Sequence, residues 1–191
     1  MTLHLKNISF VAVPKTATIA IEKAFSPYAK NYTPHTHEPV DVVKRDGGQD
    51  CLGLIRNPHD WIKSYYLYLK HSPYFYSASS AWGIGEKTFE EFVGRFCDGH
   101  HLWPEPLRLQ SMYLLRNGVS TDFIYRFENL LNAVAHIGAA CGQMPKMSRH
   151  NVSPECDVIL SKKMAYLFED AASEDFDLYE GCADGEINGN P

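Results

Sequence analysis

The sequence predicts an α/β protein in which a central parallel sheet is flanked by helices, and three short apolar runs carry that prediction. Residues 8–13 and 51–56 are nearly continuous apolar stretches, typical of strands that are buried on both faces of a parallel sheet. Residues 122–127 form a third strand candidate. Each run precedes a segment that is predicted to be helical, and this alternation of strands and helices indicates an α/β fold.

The helices are indicated by apolar residues at helical spacing and by the signals at their ends. A helix over residues 57–70 begins with Asn57 as its cap and Pro58 at its first position. Thr88 and Glu91 form a capping box for a helix over residues 88–96. Further helices are predicted over residues 16–25, 107–115, 128–142 and 153–179, whereas residues 26–39 and 73–85 are predicted to be loop or irregular structure.

Length and composition are those of one globular domain. The chain has 191 residues, of which 45% are hydrophobic and 21% are charged, and this is enough to bury one proper core. We expect a single domain over residues 1–180. Residues 181–191 are rich in Gly, Asn and Asp and lack apolar side chains that would hold them in place, so we expect a flexible C-terminal tail there.

Charge and motif content argue against several classes of function. A net charge of −5 provides no general attraction to nucleic acid, and no apolar run approaches the roughly 20 residues that cross a bilayer. The N-terminus has no signal-peptide pattern. The five cysteines lack CxxC spacing and the histidines lack an HExxH pattern, so we expect no metal site, no disulfide framework and a cytoplasmic location.

The junction between the first strand and its helix has the features of an anion site. "PKTAT" (residues 14–18) places Lys15 and the hydroxyls of Thr16 and Thr18 where free backbone N–H groups and the helix dipole favour negative charge. The lysine opens this loop and glycines are absent, unlike the P-loop pattern GxxxxGK[ST]. Taken alone, the segment is compatible with a phosphate site or with an ordinary surface loop.

A second segment favours the phosphate site. "RNPHDWIKS" (residues 56–64) places Arg56 at the end of the second strand and Ser64 two turns into the next helix. Together with "PKTAT", it resembles the sulfotransferase superfamily that uses 3′-phosphoadenosine-5′-phosphosulfate (PAPS). In that family a PK[ST]GTT-like loop binds the 5′-phosphosulfate, and a later RNPxxxxxS segment binds the 3′-phosphate. "DFIYRFENLL", "RHNVSP" and "SEDFDLY" look like the carbohydrate-type and bacterial branches, so the resemblance covers roughly residues 8–179.

The resemblance implies a three-layer, P-loop-like fold and assigns residues to the PAPS site. Lys15 is expected at the bridging oxygen between phosphate and sulfonate, where it would stabilise charge in the transition state. Arg56 offers a planar fork for the 3′-phosphate and Ser64 a hydroxyl. The implied PAPS-binding residues are Lys15, Thr16, Ala17, Thr18, Ile19, Ala20, Arg56, Ser64 and Arg149.

Two residues depart from the family pattern. Ala17 stands where glycine is usual, and we expect it to be tolerated through a negative φ at the start of the helix. Ile19 stands where the family has Thr or Ser, so one hydroxyl is lost. These changes predict weaker PAPS binding or a loss of activity.

Sulfuryl transfer needs a base for the acceptor's proton, and "TPHTHEPVD" supplies two histidines between the two PAPS-binding segments. A histidine suits this role because its ordinary pKa is near neutrality. We prefer His37, with His35 as the second candidate. The resemblance also suggests that Glu128 helps to order the site, although a capping or ion-pair role for this residue is equally open.

The sequence therefore predicts a PAPS-dependent sulfotransferase that transfers a sulfuryl group to a hydroxyl or amine of a small-molecule, carbohydrate or lipid acceptor and releases 3′,5′-ADP, without a metal. Two alternatives stay open. One is a catalytically degenerate sulfotransferase fold that binds a nucleotide or partner without turnover, which Ile19 favours. The other is a nucleotide kinase-like phosphotransferase, which needs the P-loop lysine that this sequence lacks.

Overall fold

A six-stranded sheet with helices on both faces organises the computed structural model, which describes residues 2–33, 37–71, 88–99, 108–148, 158–182 and 187–188. A small two-stranded hairpin accompanies this sheet. The strands of the main sheet are β1 (Thr2–His4), β2 (Ser9–Val11), β3 (Asn31–Thr33), β4 (Cys51–Ile55), β7 (Phe123–Arg126) and β8 (Ile187–Asn188), and those of the hairpin are β5 (Leu115–Arg116) and β6 (Val119–Ser120).

The three strands predicted from sequence form the parallel centre of the main sheet. Its strand order is β3-β1-β2-β4-β7-β8. β4 runs parallel to β2, with Leu52 opposite Phe10, and parallel to β7, with Leu52 opposite Phe123. β1, β3 and β8 are antiparallel to their neighbours. The predicted α/β fold with a central parallel sheet flanked by helices is therefore confirmed, and antiparallel strands extend that sheet on both sides.

Eight α-helices are described. They are α1 (Thr18–Phe25), α2 (Val40–Gly47), α3 (Pro58–His71), α4 (Phe89–Gly99), α5 (Ser111–Leu114), α6 (Leu130–Cys141), α7 (Lys162–Ala171) and α8 (Ser173–Gly181).

Several predicted helix ends are confirmed by their hydrogen bonds. Asn57 Oδ1 accepts the backbone N–H of His59 at 3.0 Å and caps α3. Thr88 and Glu91 form the reciprocal bonds of a capping box before α4, at 2.7 and 3.3 Å. α6 ends at Gly142, whose φ of 72° lies in the left-handed region that favours glycine.

The apolar runs of the central strands alternate between two cores, because successive strand residues face opposite sides of a sheet. Phe10 and Leu52 point to the face covered by α1 and α6. Val11 and Ile55 point to the opposite face, which α2 and α5 cover. Both faces being buried explains why these strands are apolar throughout rather than at every second residue.

A third cluster is aromatic and joins α3, α4, α7 and α8 beside the sheet. Trp61 and Phe96 are fully buried in it, and Tyr65 and Tyr66 are each only 2% exposed. Both tyrosines therefore serve core packing. The cluster fixes the position of α3, the helix that follows Arg56.

Two segments differ from their predicted structure. Residues 26–33, predicted as loop, contain a 3-10 turn (Ser26–Tyr28) and β3, because a short edge strand pairs through its backbone and needs no apolar pattern. In the predicted helix over residues 107–115, of which 108–115 are described, Ser111–Leu114 is helical and Leu115 enters β5. In the predicted tail, Cys182 is fully buried and Ile187 pairs with β7. The boundary of the tail remains a prediction.

No helix within the described ranges is long and apolar enough to cross a membrane.

Gly53 in β4 is predicted to be intolerant of any side chain. A Cβ there would lie 2.3 Å from Leu114 Cδ2, and Leu114 is fully buried, so it has no space into which to move. We expect Gly53→Ala to lower the free energy of unfolding in urea by about 1–3 kcal/mol through overpacking.

The matched control is Gly94→Ala in α4, where the nearest atom to a new Cβ is Met164 Cε at 3.5 Å, an ordinary contact. Because alanine favours helix, this variant is expected to be as stable as the parent or more stable by up to about 1 kcal/mol. Equal stability of Gly53→Ala and the parent would contradict the packing described for β4.

Candidate active site

The candidate site lies at the carboxyl ends of two adjacent parallel strands, β2 and β4, which is where open α/β sheets bind ligands. β2 leads into a loop formed by residues 12–17, here called the Lys15 loop, and then into α1. β4 leads into Arg56 and then α3. The two predicted PAPS-binding segments are therefore neighbours in space as well as similar in their position after a strand.

Side-chain donors form hydrogen bonds with the carbonyl groups of the Lys15 loop. Four consecutive carbonyl oxygens receive side-chain hydrogen bonds, which hold the loop in one conformation. The bonds run from His37 Nδ1 to Ala12 (2.7 Å), from Thr16 Oγ1 and Thr18 Oγ1 to Val13 (2.8 and 2.6 Å), from Trp61 Nε1 to Pro14 (3.0 Å) and from Arg56 Nη1 to Lys15 (3.5 Å).

The backbone of this loop has the alternating conformation of an anion-binding nest. Lys15 has a φ of 66° and Ala17 a φ of 60°, while Thr16 between them is not among the residues with positive φ. Residues 14 and 15 form a turn, and among the described residues no backbone hydrogen bond outside the regular elements is donated by the N–H groups of residues 17–19. Such N–H groups form a concave surface that binds an anion at a helix N-terminus.

The expectation that Ala17 has a negative φ is wrong. Ala17 precedes α1 in the left-handed region, with φ 60° and ψ 17°. Its methyl group makes this conformation costly, by about 1–2 kcal/mol relative to ordinary helical backbone. The loop therefore keeps the backbone shape that suits glycine and bears the strain of an alanine.

Lys15 belongs to this loop, and its surroundings destabilise its charge. Burial, together with the nearby Arg56, lowers the pKa of Lys15 from 10.5 to about 8. Its Nζ lies 4.0 Å from the centroid of the Tyr68 ring, a cation–π contact from α3. An anion bound between Lys15 and Arg56 would relieve both desolvation and like-charge repulsion.

Arg56 is held by its backbone and by its side chain. Gln110 Oε1 accepts from the Arg56 N–H and Gln110 Nε2 donates to the Arg56 carbonyl, each at 2.9 Å. The guanidinium carbon lies 4.9 Å from the centroid of the Phe127 ring. Burial lowers the pKa of Arg56, and the carboxylates of Asp60 and Glu128 oppose that shift.

Ser64 lies on the side of α3 that faces the Lys15 loop. It stands three residues after Trp61, which donates to Pro14, and four before Tyr68, which contacts Lys15, so the three share one helix face. Ser64 is buried. α3 therefore contributes to both halves of the site.

His37 is in the tautomer that has its lone pair on Nε2. Because the Ala12 carbonyl can only accept, Nδ1 carries the proton and the lone pair is on Nε2. Burial lowers the pKa of His37 to about 4, against the opposing effect of the Ala12 bond, so the ring is neutral at pH 7. The ring also packs edge-on against Tyr113, with centroids 6.3 Å apart.

The other predicted site residues divide into two groups. Ile19 and Ala20 lie in the first turn of α1, and Ile19 is 39% exposed beside the loop N–H groups. The hydroxyls of Thr16 and Thr18 donate within the loop, so they shape it as described above. His35, Arg149 and the aromatic segment over residues 73–85 lie outside the described residues, and their roles stay predictions.

Sequence reasoning missed three residues that shape the site. Trp61 and Tyr68 were detectable in principle, because helical spacing puts them on the face of Ser64. Gln110 carried no local signal, since it lies 54 residues from the backbone groups that it binds. Among the described residues, no cluster of His, Cys, Asp and Glu could hold a metal ion.

Comparison with known proteins gives a distant structural match. No protein-family model matches the chain, and no curated protein matches its sequence. Among solved structures, the chain is similar to mouse sulfotransferase SULT7A1 complexed with PAP, with 13% identity and a TM-score of 0.47. The match covers 91% of this chain and 66% of the mouse protein, so this chain spans slightly less than two thirds of that length. Function must be argued from the site itself at this level of similarity.

Replacing the strained alanine should stabilise the protein. Ala17→Gly removes the methyl group that disfavours φ 60°. The relief exceeds the extra backbone entropy that glycine brings to the unfolded state, so we expect a gain of about 0.5–1 kcal/mol in the free energy of unfolding. The matched control is Ala20→Gly within α1, which should instead lose up to about 1 kcal/mol. A loss of stability in both variants would contradict the left-handed conformation of Ala17.

Proposed function

We propose that this protein binds PAPS and transfers its sulfuryl group to a hydroxyl or amine of a small-molecule, carbohydrate or lipid acceptor. One observation carries the proposal: Lys15 and Arg56 follow adjacent parallel strands, and Arg56 Nη1 reaches the Lys15 carbonyl at 3.5 Å. Two cationic groups thus stand side by side at the ligand-binding edge of the sheet, which suits a ligand with two anionic ends.

The residues present fit such a ligand. The nest of the Lys15 loop offers backbone N–H groups to the 5′-phosphosulfate, with Lys15 beside them. The Arg56 fork, with Ser64 on α3, would hold the 3′-phosphate. Burial lowers the pKa of both cations, and Arg56 lowers that of Lys15 further, so a bound anion would stabilise both charges.

PAPS supplies the sulfuryl group, which passes to the acceptor as the bond to the bridging phosphate oxygen breaks. Lys15 stabilises the negative charge that develops on the leaving phosphate, and the loop N–H groups share that charge. Because hydrogen bonds to the carbonyls fix the loop beforehand, little reorganisation is needed when the charge develops.

His37 is the preferred proton acceptor, with His35 as the second candidate. The proton of the acceptor's hydroxyl or amine would move to His37 Nε2, which carries the lone pair because Nδ1 donates to Ala12. A pKa of about 4 makes His37 a weak base, but one that stays unprotonated at all pH values above that range.

A second function has one specific observation in its favour. Ile19 has an exposed apolar side chain in the first turn of α1, where the family that this sequence resembles has a hydroxyl. A protein that binds the nucleotide without transferring sulfate would still need Lys15 and Arg56 to bind the phosphates, but it would not need a hydroxyl at position 19.

Transfer of labelled sulfate to a panel of acceptors separates the two functions. Only the enzyme yields labelled product, and that product should disappear in His37→Ala or Lys15→Ala.

Nucleotide preference tests the proposed binding site directly. We expect 3′,5′-ADP to raise the melting temperature more than 5′-AMP, ADP or ATP with Mg²⁺. In Arg56→Ala the affinity for 3′,5′-ADP should fall about 10- to 100-fold, because a charge-assisted contact to the 3′-phosphate is lost. Affinity for 5′-AMP should change little, since that nucleotide has no 3′-phosphate.

Arg45→Ala serves as the matched control, because Arg45 is an exposed arginine on α2 whose side chain pairs with Asp46. It should leave all affinities unchanged. A preference for ATP with Mg²⁺ would refute the proposal and favour the kinase-like alternative.

The pH dependence of binding tests the role of Lys15. Its pKa of about 8 in the free protein means that Lys15 is mostly charged at pH 7 and loses its charge as pH rises through 8. Affinity for 3′,5′-ADP, measured by calorimetry, should therefore weaken between pH 7 and 9.5. Lys15→Arg keeps its charge throughout and should show a flat profile. A decline that persists in Lys15→Arg would assign the titration to another group.

A further inference from the structure

Arg56 lies just beyond the last ladder pair of β4, Ile55 opposite Arg126, and its backbone is held by one side chain instead of by another strand. The carboxamide of Gln110 binds both the N–H and the carbonyl of Arg56, each at 2.9 Å. A carboxamide can do this because it carries a donor and an acceptor on the same plane. The position of Arg56 therefore depends on where Gln110 is held.

Gln110 is held in turn by a buried carboxylate on α8. Asp175 Oδ2 accepts the backbone N–H of Gln110 at 2.9 Å, and Oδ1 accepts that of Ser111 at 2.7 Å. Gln110 and Asp175 are both fully buried. Burial raises the pKa of Asp175 to about 6 in spite of these bonds. A buried carboxylate in a small core is costly, and an apolar residue would fill the space at lower cost.

We propose that Asp175 on α8 is a positioning residue for the 3′-phosphate site. It binds the backbone N–H of Gln110, and the Gln110 side chain in turn binds the backbone of Arg56. Neither Asp175 nor Gln110 is placed against the nucleotide. The inference rests on the proposed function, because it assumes that Arg56 binds a 3′-phosphate.

A carboxylate at the other end of β4 provides a contrast. Asp122 Oδ2 accepts the backbone N–H of Cys51 at 2.7 Å, and Oδ1 accepts from Lys44 Nζ at 2.8 Å. It holds β4 at the opposite end from Arg56. Replacing a carboxylate that only stabilises the fold, such as Asp122, should leave the preference between nucleotides unchanged. Replacing a carboxylate that positions Arg56 should change that preference.

The experiment measures the dissociation constants of 3′,5′-ADP and 5′-AMP by calorimetry, below the melting temperature of each variant, and compares their ratio. In Asp175→Asn an amide N–H group replaces one acceptor, so Arg56 loses its fixed position. We expect the preference for 3′,5′-ADP to fall about fivefold or more, with the affinity for 5′-AMP nearly unchanged. Asp122→Asn, the matched control, should keep the parent ratio.

Gln110→Met removes both side-chain bonds to the Arg56 backbone at similar side-chain size, and keeps the test valid if Asp175→Asn does not fold. It should lower the same ratio about fivefold or more. Equal weakening of both nucleotides in these two variants, or an equal loss of preference in Asp122→Asn, would overturn the inference. A parent protein without any preference for the 3′-phosphate would overturn the proposed function itself. A parent preference that Asp175→Asn and Gln110→Met both retain would overturn the inference alone.

Discussion

The candidate site depends on one set of hydrogen bonds, in which side chains donate to four consecutive backbone carbonyls, those of Ala12 to Lys15. With these oxygens occupied, the loop after β2 cannot relax into a continued strand or an ordinary turn. Its N–H groups remain for an anion at the start of α1. The donors come from three parts of the chain, namely the loop itself, the His37 segment and the β4–α3 segment. The conformation of the Lys15 loop is therefore a product of tertiary packing as much as of the loop sequence.

The same contacts join the two halves of the site into one unit. α3 binds the Lys15 loop through Trp61 and carries Tyr68 against Lys15, while the strand that precedes α3 ends at Arg56. On the other side of Arg56, the Gln110 side chain binds the backbone of Arg56, and the Asp175 carboxylate in turn binds the backbone N–H of Gln110. A ligand with two anionic ends would meet groups that are already spaced for it, so little binding energy would be lost in ordering them.

Electrostatics and backbone strain both set the Lys15 loop and Arg56 apart from the rest of the described structure. Lys15 and Arg56 each have a lowered pKa because they are buried, and Arg56 also lowers the pKa of Lys15. Ala17 keeps a left-handed conformation that costs energy. Such costs persist where the surrounding structure imposes them and cluster at functional sites. Ile19 has no equivalent explanation in the contacts of α1.

Local sequence was sufficient for the central strands and most helices, because apolar periodicity and caps are physical properties of neighbouring residues. The roles of the two predicted PAPS-binding segments stay predictions. Local sequence could not provide the edge strands, whose pairing is carried by the backbone, or the sign of φ at Ala17, which the side-chain bonds to the loop carbonyls impose. It could not identify Gln110 or Asp175 as supports of Arg56, because those bonds span 54 and 65 residues. The sequence by itself determined which chemical groups stand at the strand ends. Only the tertiary structure decided how they are held, because each is fixed by hydrogen bonds from segments distant in the chain.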